Sequence, residues 1–214
     1  MPKYGAGSGG SIDGWTAANE TWTYVSATTF TVPDDQTLKL SKGTRIKLDQ
    51  TTTKYFVVVD SSFSVDTTTV TVTGGDDYTL ADEAITDNFY SYAANPQGYP
   101  GWFNWAPTFG GFSASPTTGT AKFAVVGRTC TILLQYIAGT SNATSFTFVL
   151  PIASLIGGRY QAARVTNNGA DSLTPGMVEF LVASTTANLY RDWGGTGWTA
   201  SGGKNATLTA VYEF

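Results

Sequence analysis

Asn95-Pro96-Gln97-Gly98-Tyr99-Pro100-Gly101-Trp102-Phe103-Asn104-Trp105-Ala106-Pro107 divides the chain into two β-rich halves. Each proline lacks an N–H and fixes φ, so neither a regular helix nor a central strand runs through this stretch. Each also pushes its predecessor toward extended geometry, which makes the segment a stiff connector. Tyr99, Trp102, Phe103 and Trp105 carry too much apolar area for a solvated linker. The expected arrangement is a tethered hinge at 95–107, packed on its neighbours through those four rings. It separates an amino-terminal β module (12–94) from a carboxy-terminal domain (108–214), with a Gly/Ser-rich flexible arm at 1–11.

Outward from the hinge, periodicity points to strands. Trp22–Ala27 and Thr29–Val32 alternate large apolar residues with threonine and serine, as half-buried strands do. Thr44-Arg45-Ile46-Lys47-Leu48 alternates too, with Ile46 and Leu48 expected inside and Arg45 and Lys47 outside. Tyr55–Val59 is a short continuous apolar run, which suits a central strand. Val70–Thr73 completes about five or six short strands at hairpin spacing, the pattern of a small barrel or sandwich. Leu80–Ile85 is expected to form a single helical turn.

In the second half, strands are expected at Ala121–Val126, Thr129–Ala138, Ser145–Leu150, Arg159–Asn167, Gly176–Ala183, Ala187–Tyr190 and Leu208–Phe214. Ser145–Leu150 is expected to stop at Pro151. About eight strands with long Gly/Asn-rich loops suggest a jelly-roll sandwich. The fold class is therefore all-β, a small barrel or sandwich joined to a jelly-roll sandwich.

Composition agrees. Charged residues make up 13% of the 214-residue chain, against roughly 25% in ordinary soluble domains. Thr, Ser, Asn and Gly must cover the surface instead, and they favour strands and turns over helices. The net charge of −4 and the scattered basic residues argue against nucleic acid as a partner. No apolar run approaches the roughly 20 residues of a membrane helix, so membrane insertion is not expected. Met1–Gly10 has no apolar core of the secretory-signal kind.

The chain has no histidine and one cysteine. That removes Ser-His-Asp and Cys-His catalysis, the commonest zinc ligands and the usual proton shuttle near neutral pH. Cys130 lies in an expected strand and reads as a small buried hydrophobe. Asp34-Asp35, Asp76-Asp77 and Asp82-Glu83 could offer oxygens to Ca²⁺, but their spacing is not that of an EF-hand and turns recruit Asp for local hydrogen bonds. No metal and no cofactor is expected.

Glycoside hydrolysis needs two carboxylates and no histidine. In the second half the acidic residues are Asp171, Glu179, Asp192 and Glu213. Nothing in their spacing places a pair across a cleft, and no enzymatic activity is expected. Tyr190-Arg191-Asp192-Trp193-Gly194-Gly195-Thr196-Gly197-Trp198 combines aromatics with polar groups in a Gly-rich loop. Aromatics that stack on sugar rings beside hydrogen-bonding side chains make Tyr190, Arg191, Asp192, Trp193 and Trp198 candidate glycan-binding residues. The alternative is that one or both tryptophans plug the sandwich edge or a subunit interface.

A family resemblance also exists. Asp13-Gly14-Trp15, Trp22–Pro33, Lys42–Leu48 and Tyr90-Ser91-Tyr92-Ala93-Ala94-Asn95-Pro96-Gln97-Gly98-Tyr99-Pro100 resemble an amino-terminal module common in virion proteins of tailed bacteriophages. Gly197–Lys204 through Tyr212-Glu213 is similar to the last strands of jelly-roll phage surface domains. The resemblance implies a non-enzymatic structural protein on the virion surface, made in the host cytoplasm. It implies a first module holding to capsid or tail and a second facing outward, as a capsid decoration, head fibre or tail protein. Expected partners are the chain itself as a homotrimer, other virion proteins and a host surface glycan. The competing class is a carbohydrate-binding module or histidine-free glycosidase.

Overall fold

The structure, a computed structural model, describes residues 12–214; the arm expected at 1–11 lies outside the described residues. The described chain is all-β and contains no helix. It forms two compact units. The first ends at Gly101, and the second comprises Trp102–Phe214 together with Gly75–Asp77. The sequence assigns Asp76 and Asp77 to the first half. They belong to the second unit because Asp77 accepts hydrogen bonds from the backbone N–H of Asn104 (2.7 Å) and from its Nδ2 (2.7 Å), while Asp76 N–H donates to Asn104 O. Gly75 sits at φ +61°, and a Cβ there would lie 2.1 Å from Asn104 O, so only glycine fits.

The first unit holds β1 (Thr16–Ala17), β2 (Thr23–Ser26), β3 (Thr29–Pro33), β4 (Arg45–Asp49), β5 (Thr53–Ser64), β6 (Thr67–Thr73) and β7 (Thr86–Ser91). They form one antiparallel sheet in the order β1-β7-β4-β5-β6-β3-β2. The apolar run of β5 is the middle strand, as its composition predicts. On one face Ile46, Leu48, Phe56, Val58, Val70 and Val72 join Trp22, Phe30 and Leu40 in a core, with Trp22 stacked on Phe30 at 4.5 Å.

The opposite face is also covered, and this corrects one expectation. Arg45 pairs with Val57 and Lys47 with Tyr55 across β4 and β5, and Trp15 and Tyr99 pack over that surface. Arg45 is therefore only 3% exposed, its guanidinium 5.3 Å from the Tyr99 ring centroid, and Lys47 Nζ lies 5.1 Å from that of Trp15. A strict two-fold alternation assigns these cations to water, whereas their stems and charges lie against aromatic faces. Leu80–Ile85 has bends and no helical turn, and β7, whose residues Thr86–Ser91 mix polar and aromatic side chains, is not marked by periodicity.

The second unit holds β8 (Phe103–Asn104), β9 (Phe109–Gly110), β10 (Thr120–Val126), β11 (Thr129–Thr140), β12 (Thr147–Ser154), β13 (Arg159–Asn167), β14 (Ala170–Asp171), β15 (Gly176–Phe180), β16 (Ser184–Tyr190) and β17 (Gly203–Glu213). Its long pairings are nested: β11 with β17, β12 with β16, β13 with β15. Rolling one long hairpin upon itself gives that nesting, the jelly-roll pattern. Strand β13 links the two layers, since Arg159–Ala163 pairs with β15 and Arg164–Asn167 with β17. Between the layers Tyr212 donates its hydroxyl to Ile152 O at 2.8 Å and packs on Phe180.

The sequence ends the third long strand of this half at Pro151, yet β12 continues to Ser154. Its ladder to β16 jumps from Val149↔Thr186 to Ser154↔Ser184. The missing proline N–H falls inside this irregular stretch, where the ladder asks nothing of it. Cys130 is buried beside Tyr212, and burial pushes its thiol up to about 12.

The four hinge aromatics divide between the units. Tyr99 packs with Trp15 and Tyr55 in the first; Phe103 stacks on Phe123 and Trp105 meets Phe148 in the second; Trp102 is exposed.

Candidate functional site

Strands β13, β15 and β16 lie side by side, and their alternation sorts residues by face. Val178, Phe180, Ala187 and Leu189 point into the sandwich and are fully buried. The intervening residues face outward. The register places Tyr160 opposite Glu179 and Glu179 opposite Asn188, with Met177 opposite Tyr190 in the next row. Three strands therefore assemble a platform from residues far apart in sequence.

The loop after β16 folds back over that platform. Asp192 Oδ1 accepts the backbone N–H groups of Gly194 (3.0 Å) and Thr196 (3.1 Å), which turns the chain sharply. Hydrogen bonds to Thr196 and Gly194 hold its carboxyl below the usual carboxylate range. Arg191 N–H donates to Thr196 O, and its Nε lies 3.8 Å from Asp192 Oδ2. The returning Gly194-Gly195 brings Gly195 close to the Met177 methyl, which explains how an outward-facing methionine is almost wholly buried.

Trp193 stands at the rim, 52% exposed. With Tyr160, Tyr190, Met177, Glu179, Gly194 and Gly195 it lines an open cleft of about 410 Å³. Within the cleft Glu179 Oε2 accepts from Asn188 Nδ2 (2.9 Å) and from the Tyr190 hydroxyl (3.0 Å). Burial and the neighbouring carboxylate raise the Tyr190 phenol above its ordinary value, so it donates at neutral pH. Among the described residues no ion pair involves Glu179.

Of the five candidates from sequence, Tyr190 and Trp193 line this cleft, and Arg191 and Asp192 shape the loop beside it. Trp198 does not reach it. It is 2% exposed, its indole N–H donates to Leu189 O at 2.6 Å, and its ring packs 5.2 Å from that of Phe146. A ring so enclosed offers no face to a ligand, and Trp198 is a structural plug. Tyr160, Met177 and Asn188 were not legible as site residues, because only strand pairing brings them together. Alternation within β13 and β15 marks Tyr160 and Met177 as outward-facing, and no local motif does more.

The other acidic candidates are engaged elsewhere. Asp171 accepts from Arg164 Nη2 (2.9 Å) and Thr166 Oγ1 (2.6 Å), and Glu213 sits opposite Thr129 near the end of β17. In the first half, Asp35 caps Thr37 and Glu83 binds Thr51. Among the described residues no cluster of three or more acidic or sulfur ligands could hold a metal. Comparison with protein-family models, with curated proteins and with solved structures finds no match to this chain.

Proposed function

We propose that the chain is a non-enzymatic structural protein of a tailed-bacteriophage virion, displayed on the particle surface as a capsid decoration, head fibre or tail-attached protein. The first unit attaches to the particle and the second faces outward. The observation that carries this is how the residues of the phage resemblance behave together. Trp15 donates its indole N–H to Gln97 O (2.8 Å), Gln97 N–H donates to Asp13 O (2.8 Å), and the Ser91 hydroxyl donates to Gly14 O (2.6 Å). The first and last quoted motifs thus tie the ends of one self-contained unit, as expected of a module reused across proteins. Mass spectrometry of purified particles tests the assignment: the chain is expected among the virion proteins, and its absence from intact particles overturns it.

Assembly as a homotrimer is part of this proposal. Leu155, Ile156 and Val182 are exposed in two adjoining turns at one end of the second unit, where Gly157 lies against Val182. Neighbouring exposed aliphatics on a charge-poor surface favour self-association. Native mass spectrometry is expected to give a trimer that Ile156→Asp with Val182→Asp converts to monomer.

The carbohydrate-binding alternative is favoured by Trp193 above its cleft. Among the described residues the lining holds a single carboxylate, Glu179, where glycoside hydrolysis uses two, which supports binding over hydrolysis. The same cleft serves host contact within the virion proposal.

A further inference from the structure

Three aromatic side chains, Tyr160, Tyr190 and Trp193, line the cleft together with the Glu179 carboxylate. We infer that this cleft takes an organic ammonium group, such as a choline head group or a protonated amino sugar, in preference to a neutral sugar. The inference rests on the cleft being the host-contacting site of the proposed surface protein.

The chemistry is that of a cation. A ligand ammonium is drawn to the negative face of an aromatic ring, most strongly to tryptophan, and the attraction grows as water is excluded. Trp193 is 52% and Tyr160 49% exposed, so both offer ring surface to a ligand. A neutral sugar would be served by a spread of donors and acceptors. Here two donors are directed at the carboxylate: Asn188 Nδ2 gives one of its two N–H groups, and Tyr190 its hydroxyl proton, to Glu179 Oε2. That pair of bonds fixes the carboxylate in place, while Oε1 receives no hydrogen bond among the described residues. Among the described residues no basic side chain lines the cleft. A carboxylate with no ion-pair partner among the described residues, walled by aromatic faces, is complementary to a ligand cation. Met177 and the two glycines supply an apolar floor that holds no polar side chain for a hydroxyl.

The test uses the full-length chain labelled with ¹⁵N, following the indole signal of Trp193 among the six tryptophans. Choline and D-glucosamine are titrated against their neutral counterparts, 3,3-dimethylbutan-1-ol and D-glucose. Saturable shifts with at least one ammonium ligand, and at least tenfold weaker binding of its neutral counterpart, are expected. Which ammonium binds more tightly separates the quaternary head group from the amino sugar. Glu179→Gln keeps an amide oxygen for Asn188 and Tyr190 and removes the charge, so ammonium binding is expected to fall at least tenfold with an unchanged spectrum elsewhere. Equal binding of the neutral counterpart, an unaffected Glu179→Gln variant, or no saturable shift with either ammonium overturns the inference. Those outcomes leave the virion assignment standing, because particle mass spectrometry decides that independently.

Discussion

The ammonium of Lys204 lies 5.7 Å from the centroid of the Trp198 ring, and both side chains are enclosed, at 1% and 2% exposure. Lys204 Nζ donates to three backbone carbonyls, Gly111 (2.9 Å), Ala143 (2.9 Å) and Ser145 (2.7 Å), and also faces the rings of Phe112 and Phe146. An ammonium has three donors, and all three are used, so a cation with no carboxylate partner among the described residues is held by carbonyl dipoles and ring faces. It joins β17 to the loops that carry Gly111 and Ala143–Ser145. Lys204→Met keeps the stem and removes the donors, stranding three buried carbonyls. The expected loss is about 2–4 kcal/mol, read as a shift of the urea midpoint at unchanged slope.

Burial lowers the Lys204 ammonium from 10.5 to about 8. Between those values the unfolded chain holds a proton that the folded chain has released, so stability rises with pH across that window and is flat below it for this group. Cys130 acts in the opposite sense. Its thiol is raised from 9.0 to about 12, so the unfolded state ionises first and stability falls above pH 9. Buried Tyr99 and Tyr212, also raised, add to that fall above pH 10. Urea titrations from pH 7 to 10 are expected to show a gain above pH 8 that disappears in Lys204→Met. A wild-type curve that runs parallel to the variant's across pH 8–9 contradicts it.

The two tryptophans of the 190–198 loop are expected to separate cleanly. Trp198→Ala removes a buried ring and its bond to Leu189 O, at a cost of about 3–5 kcal/mol. Trp193→Ala removes a ring with about half its surface in water and should stay within about 0.5 kcal/mol of wild type. Thermal melts of the two variants decide it; equal losses would place Trp193 in the packed interior.

The hairpin joining β5 and β6 turns at Val65 and Asp66, at φ +46° and +64°. Two positive φ values in a two-residue turn are the type I′ arrangement, which favours Asn-Gly, and a β-branched residue is strained there. Val65 is also exposed, so nothing in packing offsets the strain. Val65→Asn is expected to stabilise the chain by about 1 kcal/mol, seen as a higher melting temperature. A lower one overturns the assignment of strain to Val65.

Particular residues show how far the chain could be read. The alternation of Thr129–Ala138 and Leu208–Phe214 marks two strands, and the run at Tyr55–Val59 marks the middle of a sheet, because side-chain period and burial are local consequences of the backbone. Arg45 defeats the same logic. Its outward position in the strand is right, but Trp15 and Tyr99, distant in sequence, cover that face. Pro151 misleads for a related reason: its missing donor ends a strand only where a partner needs it, and the irregular ladder to β16 removes the need.

The site divides the same way. Trp193 and Tyr190 were legible because a Gly-rich loop with aromatics is a local pattern. Trp198, five residues on in the same loop, carries an equal signal and is buried, since the loop's turn at Asp192 directs one indole outward and the other onto Phe146. Tyr160, Met177 and Glu179 meet only through the pairing of β13, β15 and β16. The sequence by itself determined strands, turns, all-β class and the absence of histidine chemistry, which depend on residue type and short-range spacing. Which rings face water, which cations are buried and which residues share a cleft were decided by tertiary structure alone, because each depends on what a remote segment covers.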